Sequence, residues 1–540
     1  MLRDFIMTAF FLSGAIVQAQ DLSKSVGIIP QPIEIISSSG VFDLRTNTSI
    51  SFSSKGVLPS AVYLSDYLGR YLGYPLAVKR EKATPKQAIR LINQKNGQIS
   101  GGYRLEVTPD GVTINGNDDA GVFYGVQTLI QILPIRAGIM PVVPALTVRD
   151  YPRFAYRGMH LDVVRHFFPV SFIKQYIDYL ALHKMNYFHW HLTDDQGWRI
   201  QMKCRPELTE FGAYRDGEIE GLYPGVYTPL PYGGYYTHEQ VKEIVAYAAE
   251  RYITVIPEID IPGHCMAVLA TYPQFSTTPD EAKKCALTWG IFNKQNNVLA
   301  PTPEVFEFLK DVFSELCDLF PAPYIHVGGD ECAKRWWQES DQTQRFMKEQ
   351  GLKDEKALQS YFIHYVQQVV NAKGKTLIGW DEILEGGISP DCIVMNWRTT
   401  PHAVKAIKTG HRVIMTPSAY TYLNIKESRS QSELAFPGLL PLEKVYKFDV
   451  IPDSLTVAEA SQVWGGQGCL WTEYVSAPWK AEYCLFPRLS ALAENLWSAP
   501  ECKSWERFVQ KMEQQYQRYD LWGARYSEAF FRVQDILRKR

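Results

Sequence analysis

The sequence predicts an α/β protein whose larger part is a (β/α)8 TIM barrel preceded by a smaller α+β domain. Three observations carry this. Between residues 151 and 500, eight short apolar or β-branched runs alternate with amphipathic helical stretches, the pattern of repeated βαβ units. Polar residues gather just after each run, where a barrel of this kind carries its chemistry. The first 150 residues lack that alternation and mix a hairpin with helices instead. A doubly wound open sheet is the alternative, but it would not bring polar groups from eight strands into one ring.

Residues 1–20 read as a signal peptide, with Arg3, an apolar run from Phe5 to Val17, and Val17, Gln18 and Ala19 as a small-residue cleavage pattern. This predicts an exported protein, periplasmic or secreted. No later stretch reaches the roughly 20 apolar residues of a transmembrane segment. A net charge of −2 over 540 residues gives nucleic-acid binding no electrostatic support. The nine cysteines form no CxxC, and Cys285 with Cys332 is the candidate pair. Oligomeric state is not legible.

Residues 21–150 form the non-catalytic domain. Leu64, Leu68 and Leu72 stand at helical spacing, so a helix is expected over 61–71. Tyr103, Leu105 and Val107 alternate, Asp110 and Gly111 turn the chain, and Val112 and Ile114 return. A second helix, capped by Asp118 or Asp119, should bury Val122, Val126, Leu129, Ile130 and Leu133. Pro134, Pro141, Pro144 and Pro152 mark the boundary. The barrel strands are then expected at 156–164, 186–192, 254–259, 324–327, 376–379, 393–396, 412–415 and 468–471, with helices at 171–183, 238–252, 303–319, 355–372 and 483–497. In 501–540, Trp505, Phe508, Val509 and Met512 predict a helical extension packed back on the barrel.

The ring after the strands holds Asp162 and Arg165, then His191, Asp194 and Asp195, then Glu258, Asp260 and His264, then Asp330 and Glu331. Trp380, Asp381 and Glu382 follow, then Trp397 and Arg398, then Tyr420, Tyr422 and Asn424, then Glu473. Adjacent acids at a strand end are costly to bury without a chemical use, and Gly328 and Gly329 just before them permit a sharp turn. Taken alone, the pair reads equally as a solvated surface turn. An acid-rich mouth with Trp380, Trp397 and Trp471 at strand ends, and no phosphate-cradling loop, suits a site that cleaves sugars.

The stretches YRGMHLDVVRHF from Tyr156, FHWHLTDDQGWR from Phe188, PEIDIPGH from Pro257, HVGGDE from His326, IGWDE from Ile378, NWR from Asn396 and GCLWTE from Gly468 together resemble the glycoside hydrolase family 20 β-N-acetylhexosaminidases. The resemblance implies a retaining exo-hydrolase that removes terminal β-linked N-acetylglucosamine or N-acetylgalactosamine from an oligosaccharide or glycoconjugate. It also implies substrate-assisted catalysis, in which the 2-acetamido oxygen attacks the anomeric carbon and forms an oxazolinium. No cofactor or metal is implied.

By the same resemblance Glu331 is the general acid, its proton held by burial and by a negative neighbour, and Asp330 is the ionised group that orients the acetamide. Tyr422 donates to the acetamide carbonyl, and Trp380, Trp397 and Trp471 wall its pocket. Arg157 and Glu473 hold the sugar hydroxyls, Asn424 faces the 4- or 6-hydroxyl where many members have Asp, and Asp194 and His264 support the acid. The stretch 211–237, rich in Gly, Pro and Tyr, is expected to form a loop over the mouth. Two alternatives stay open. His189, His191, His264, His326 and Asp330 could hold a metal in a metal-dependent barrel hydrolase; or the chain could be a sugar-binding homologue without catalysis.

Overall fold

The computed structural model describes residues 27–80, 87–95, 99–135, 141–429 and 434–531; the expected leader, 1–20, lies outside them. The eight parallel strands close into a barrel in chain order: Tyr156–Asp162, Tyr187–His191, Thr254–Glu258, Tyr324–His326, Thr376–Trp380, Ile393–Asn396, Val413–Met415 and Val463–Gly468. Closure is the parallel pairing of the eighth strand with the first, Gly465 opposite Tyr156 and Gly468 opposite Met159. Strands covered on both faces need no polar alternation, which is why most of them read as continuous apolar runs.

The eighth strand differs from expectation. It spans Val463–Gly468, and 468–471 lies at and just beyond its C-terminal end. Glycines disguise it, yet they are what lets it pack. A Cβ on Gly465 would stand 1.9 Å from the Tyr156 carbonyl oxygen, and one on Gly468 would stand 2.7 Å from Met159 Sδ. The expected helix over 483–497 is likewise two helices, Pro478–Leu485 and Arg488–Trp497. Pro487 lies between them, and its missing N–H and fixed φ do not continue a helix.

The N-terminal domain is a seven-stranded sheet in the order Glu34–Asp43, Val142–Asp150, Tyr103–Thr108, Gly111–Gly116, Ala88–Asn93, Ser49–Phe52 and Ala77–Arg80. Helices Leu58–Leu72 and Asp119–Ile132 belong to the same domain, the second capped by Asp118, which accepts from Gly121 N. The domain is joined to the N-terminal end of the barrel by buried charge. Asp150 Oδ2 accepts from Lys184 Nζ at 2.9 Å, Tyr103 Oη at 2.7 Å and Trp497 Nε1 at 2.9 Å. Helix Trp505–Trp522 runs across both parts, burying Phe508, Met512 and Tyr519, while Arg518 donates to the carbonyls of Gly27 and Gln131.

All nine cysteines are free thiols, so Cys285 and Cys332 are not paired. Cys285 Sγ points to the Gly212 carbonyl, and burial pushes both thiols up to about 11. Among the described residues no helix is long and apolar enough to cross a membrane.

Candidate active site

The C-terminal ends of the strands converge on Asp330 and Glu331. The turn that delivers them lies in the left-handed region at Gly328 (φ +64°), Gly329 (φ +90°) and Glu331 (φ +40°). A Cβ on Gly328 would fall 1.8 Å from Asp260 Oδ1, so the glycine lets that carboxylate approach closely enough to accept from Gly329 N at 3.0 Å. Glu331 is not a glycine and holds its positive φ at a cost of about 1–3 kcal/mol, a strain that collects at functional sites.

The two acids differ. Asp330 is 14% exposed and Glu331 46%. Between them and the barrel floor stands His264, also at positive φ (+49°). Its Nε2 lies 3.6 Å from Glu331 and 3.7 Å from Asp330, and its Nδ1 lies 3.0 Å from Asp194 Oδ1 and 3.1 Å from Asp195 Oδ2. Burial disfavours charge on this ring, but the Asp194 carboxylate outweighs it and holds the imidazolium well above its usual range.

That cation and burial together set the resting charges. The His264 imidazolium lowers Glu331, whereas burial raises Asp330 to about 6, with the negative charges of Glu331 and Glu258 adding to it. His264 acts on both acids from nearly equal distances, so it is the deeper burial of Asp330 that separates them. Burial favours a proton on Asp330, and the hydrogen bond from His264 favours the Glu331 anion, the reverse of the expected arrangement.

Around Asp330 the indoles and a phenol make a hollow. Trp380 and Trp471 stand 5.9 Å apart, Tyr422 and Trp471 6.1 Å, and Trp397 stacks on Tyr422 at 6.3 Å. Trp380 Nε1 donates to Glu258 and Trp397 Nε1 to Glu382, fixing both rings. Burial, with Asp330 and Asp381 beside it, pushes Glu382 up to about 9. Burial also holds the Tyr422 phenol protonated, far above its ordinary range.

Arg157 is not in this site. It is the second residue of the first strand, at the opposite end of the barrel, where it donates to the carbonyls of Lys184 and Phe154 and to Tyr124 Oη. Each of its three guanidinium nitrogens donates to a group at the domain junction. The arginine at the mouth is Arg165, three residues past the end of that strand. It pairs with Asp162 at 3.0 Å and Asp194 at 2.8 Å, donates to Gln196, and lies over the Trp471 ring. Arg165 also faces Glu473, whose carboxyl burial raises to about 7.

Asp330 Oδ1, Glu473 Oε2 and Asn424 Oδ1 are buried acceptors without a hydrogen-bond partner. Such atoms are rare in folded chains, and here three line one mouth. The 211–237 stretch folds into two small ladders, Tyr214–Arg215 with Tyr232–Gly233 and Glu218–Glu220 with Val226–Thr228. Its tip reaches the mouth, where Tyr223 N donates to Tyr474 Oη. A separate cavity of about 730 Å³ opens at the other end of the barrel beside Arg157 and Asn186; no carboxylate lines it.

Three of the four histidines of the metal alternative, His189, His191 and His326, face one carboxylate. Glu258 Oε2 lies 2.6 Å from His191 Nδ1 and 3.0 Å from His189 Nε2, and its Oε1 lies 3.0 Å from His326 Nδ1. Four clusters still have ligand-type atoms close together, among them His189, Glu258 and His326. Arg165, Glu258 and Glu382 stood in the ring read from sequence but received no role there. The rule that chemistry sits past the C-terminal strand ends already separated Arg165 from Arg157.

A family model described as glycosyl hydrolase family 20, catalytic domain, matches residues 154–500, and one described as glycosyl hydrolase family 20, domain 2, matches 25–151. A β-hexosaminidase of Porphyromonas gingivalis is 40% identical over 519 residues, covering 94% of this chain; the chain spans 65% of that protein's length. A β-N-acetylhexosaminidase of Cellulomonas fimi is 32% identical over 93% of this chain and 96% of its own. Among solved structures, the exo β-N-acetylglucosaminidase of Vibrio harveyi in complex with N-acetylglucosamine superposes with a TM-score of 0.84 at 30% identity, covering 94% of this chain and 79% of that one.

Proposed function

The chain belongs to glycosyl hydrolase family 20, and from that premise we propose that it is an exo-acting, retaining β-N-acetylhexosaminidase. It removes terminal β-linked N-acetylglucosamine or N-acetylgalactosamine from an exported compartment's oligosaccharides or glycoconjugates. The observation that carries the reading is the packing of Trp380, Trp397, Trp471 and Tyr422 against one another, with the Asp330 charge acting on Tyr422. A 2-acetamido group seated there is held against the anomeric carbon, a proximity effect for which effective molarities reach about 10⁵ M or more.

Glu331 gives its proton to the leaving oxygen while the acetamide oxygen closes on the anomeric carbon. Asp330 accepts the amide N–H and offsets the charge growing on nitrogen. Water then attacks the oxazolinium, and Glu331 takes its proton back. Burial raises Asp330 and His264 lowers Glu331, so binding has to favour the proton on Glu331. An amide N–H pointed at Asp330 favours its anion, and a sugar covering Glu331 disfavours that carboxylate; the two acids act as one coupled titration.

Glycosides that carry hydroxyl in place of the 2-acetamido group test the mechanism. Their hydrolysis should nearly vanish, and equal turnover of both series would remove it. Epimers at C4, compared in the same assay, read the consequence of Asn424, whose neutral amide replaces a carboxylate near that hydroxyl.

The two arginines give a second prediction. Arg165→Ala should lower kcat/KM by about 10²-fold, chiefly through KM, because it removes a charged donor from the sugar's side of the mouth. Arg157→Ala should leave KM unchanged and instead lower stability by about 1–3 kcal/mol, since it strands the acceptors it served. Steady-state kinetics and chemical denaturation of the two variants check this.

A further inference from the structure

We propose that Glu258 is a positioning residue that ties the proton relay behind Glu331 to the wall of the acetamide hollow, so that one buried carboxylate sets both. This rests on the function proposed above. Glu258 ends the third barrel strand and is fully buried. Its two oxygens face different machinery. Through Oε2 it holds His191 Nδ1 at 2.6 Å; His191 Nε2 lies 2.9 Å from Asp194 Oδ2, and Asp194 Oδ1 lies 3.0 Å from His264 Nδ1, beside Glu331. Through Oε1 it accepts from Trp380 Nε1 at 2.8 Å, the indole that walls the hollow around Asp330.

A carboxylate at this depth is costly unless its acceptor directions are filled, and Glu258 fills them from three other strands. His189 and His191 come from the second strand, His326 from the fourth and Trp380 from the fifth. Burial disfavours the His191 cation, yet the Glu258 charge and the Asp194 hydrogen bond raise it to about 10. The charged and titratable groups that face His191 are Glu258, Asp194, Asp162 and His160, with His189 on its own strand. Of these, Glu258 is the one that hydrogen-bonds a wall of the hollow, while His160 and His189 pack ring to ring against Trp471 and Trp380. A shift of this side chain therefore moves the acid's support and the nucleophile's seat together.

Glu258→Gln keeps the size but cannot balance His191, and its amide N–H₂ opposes one of the existing donors. The experiment measures kcat and KM against pH on aryl β-glucosaminides bearing N-acetyl or N-trifluoroacetyl groups. The fluorinated amide is a poorer nucleophile, so the N-acetyl over N-trifluoroacetyl preference reports how well the hollow presents it. In Glu258→Gln both readouts should change: the limb of the profile belonging to Asp330 and Glu331 moves to lower pH, because the Glu258 charge that helps to raise Asp330 is gone, and the preference falls about tenfold.

His191→Gln should move the limb and change the preference less than Glu258→Gln does, since its ring touches Trp471 but not Trp380, and Trp380→Phe should change the preference and leave the limb. A folded Glu258→Gln protein that alters neither readout, or only one, overturns the proposal. Should that variant fail to fold, the His191→Gln, Trp380→Phe double variant decides: effects that add independently overturn the coupling, and non-additive effects support it. A wild-type enzyme indifferent to the N-acyl group would overturn the underlying mechanism instead, which separates the two failures.

Discussion

Glu331→Gln is expected to lower kcat/KM by about 10³-fold on a β-linked N-acetylglucosamine disaccharide and far less on a nitrophenyl glycoside. The two substrates differ in what their leaving oxygen needs. A sugar alkoxide cannot depart without a proton, whereas a nitrophenolate can, so only the first depends on the acid. The structure gives the assignment its geometry: Glu331 is the more exposed of the pair, and His264 Nε2 stands 3.6 Å from it. Equal losses on both substrates would show that Glu331 acts on something other than the departing group.

Asp330→Asn should cost about 10²–10³ in kcat, and for a different reason. An asparagine can still touch the amide but cannot offset positive charge on its nitrogen, so the loss should be similar for good and poor leaving groups. A pH signature accompanies it. Burial raises Asp330 to about 6 from its ordinary 3.8. In the free enzyme the pair's shared proton is lost as pH rises through that value, leaving two anions and no acid. Wild-type kcat/KM should therefore fall above pH about 6, and in the variant this limb should move to lower pH, because Glu331, lowered by His264, then holds the proton alone.

Stability follows the same sign. A folded-state value above the unfolded one means the contribution is complete below the ordinary value and disappears as pH rises through about 6. Above that pH the wild type keeps a buried charge beside Glu331, so Asp330→Asn should melt at a higher temperature than wild type at pH 8. A lower melting temperature would place the proton elsewhere in the resting site.

The residues that were legible in the sequence were those whose signal is local. Seven barrel strands announced themselves because runs such as Tyr324–His326 are buried on both faces. The eighth did not, since Gly465, Gly466 and Gly468 look like a loop until Tyr156, Leu496 and Met159 are seen pressed against them. The acid pair and the three indoles could be picked out, because adjacent carboxylates after Gly328 and Gly329 and tryptophans at strand ends are unusual wherever they fall. Arg157 and Arg165 share one strand and its following turn, and the choice between them depended on knowing which end of the barrel each occupies. The opposite shifts of the two acids were beyond sequence altogether. They depend on His264 reaching Glu331 through a left-handed backbone, a contact 67 residues apart in the chain.

The junction at Asp150 bears on how such an enzyme can be altered. Lys184 belongs to the barrel, but its counter-charge belongs to the sheet domain, as does the Tyr124 hydroxyl that engages Arg157. Trimming the first 151 residues would strand an ammonium group in an apolar floor, with a guanidinium beside it losing a donor's target. The accessory domain is thus no detachable module: grafting, swapping or pruning it would require redesigning the underside of the barrel at the same time.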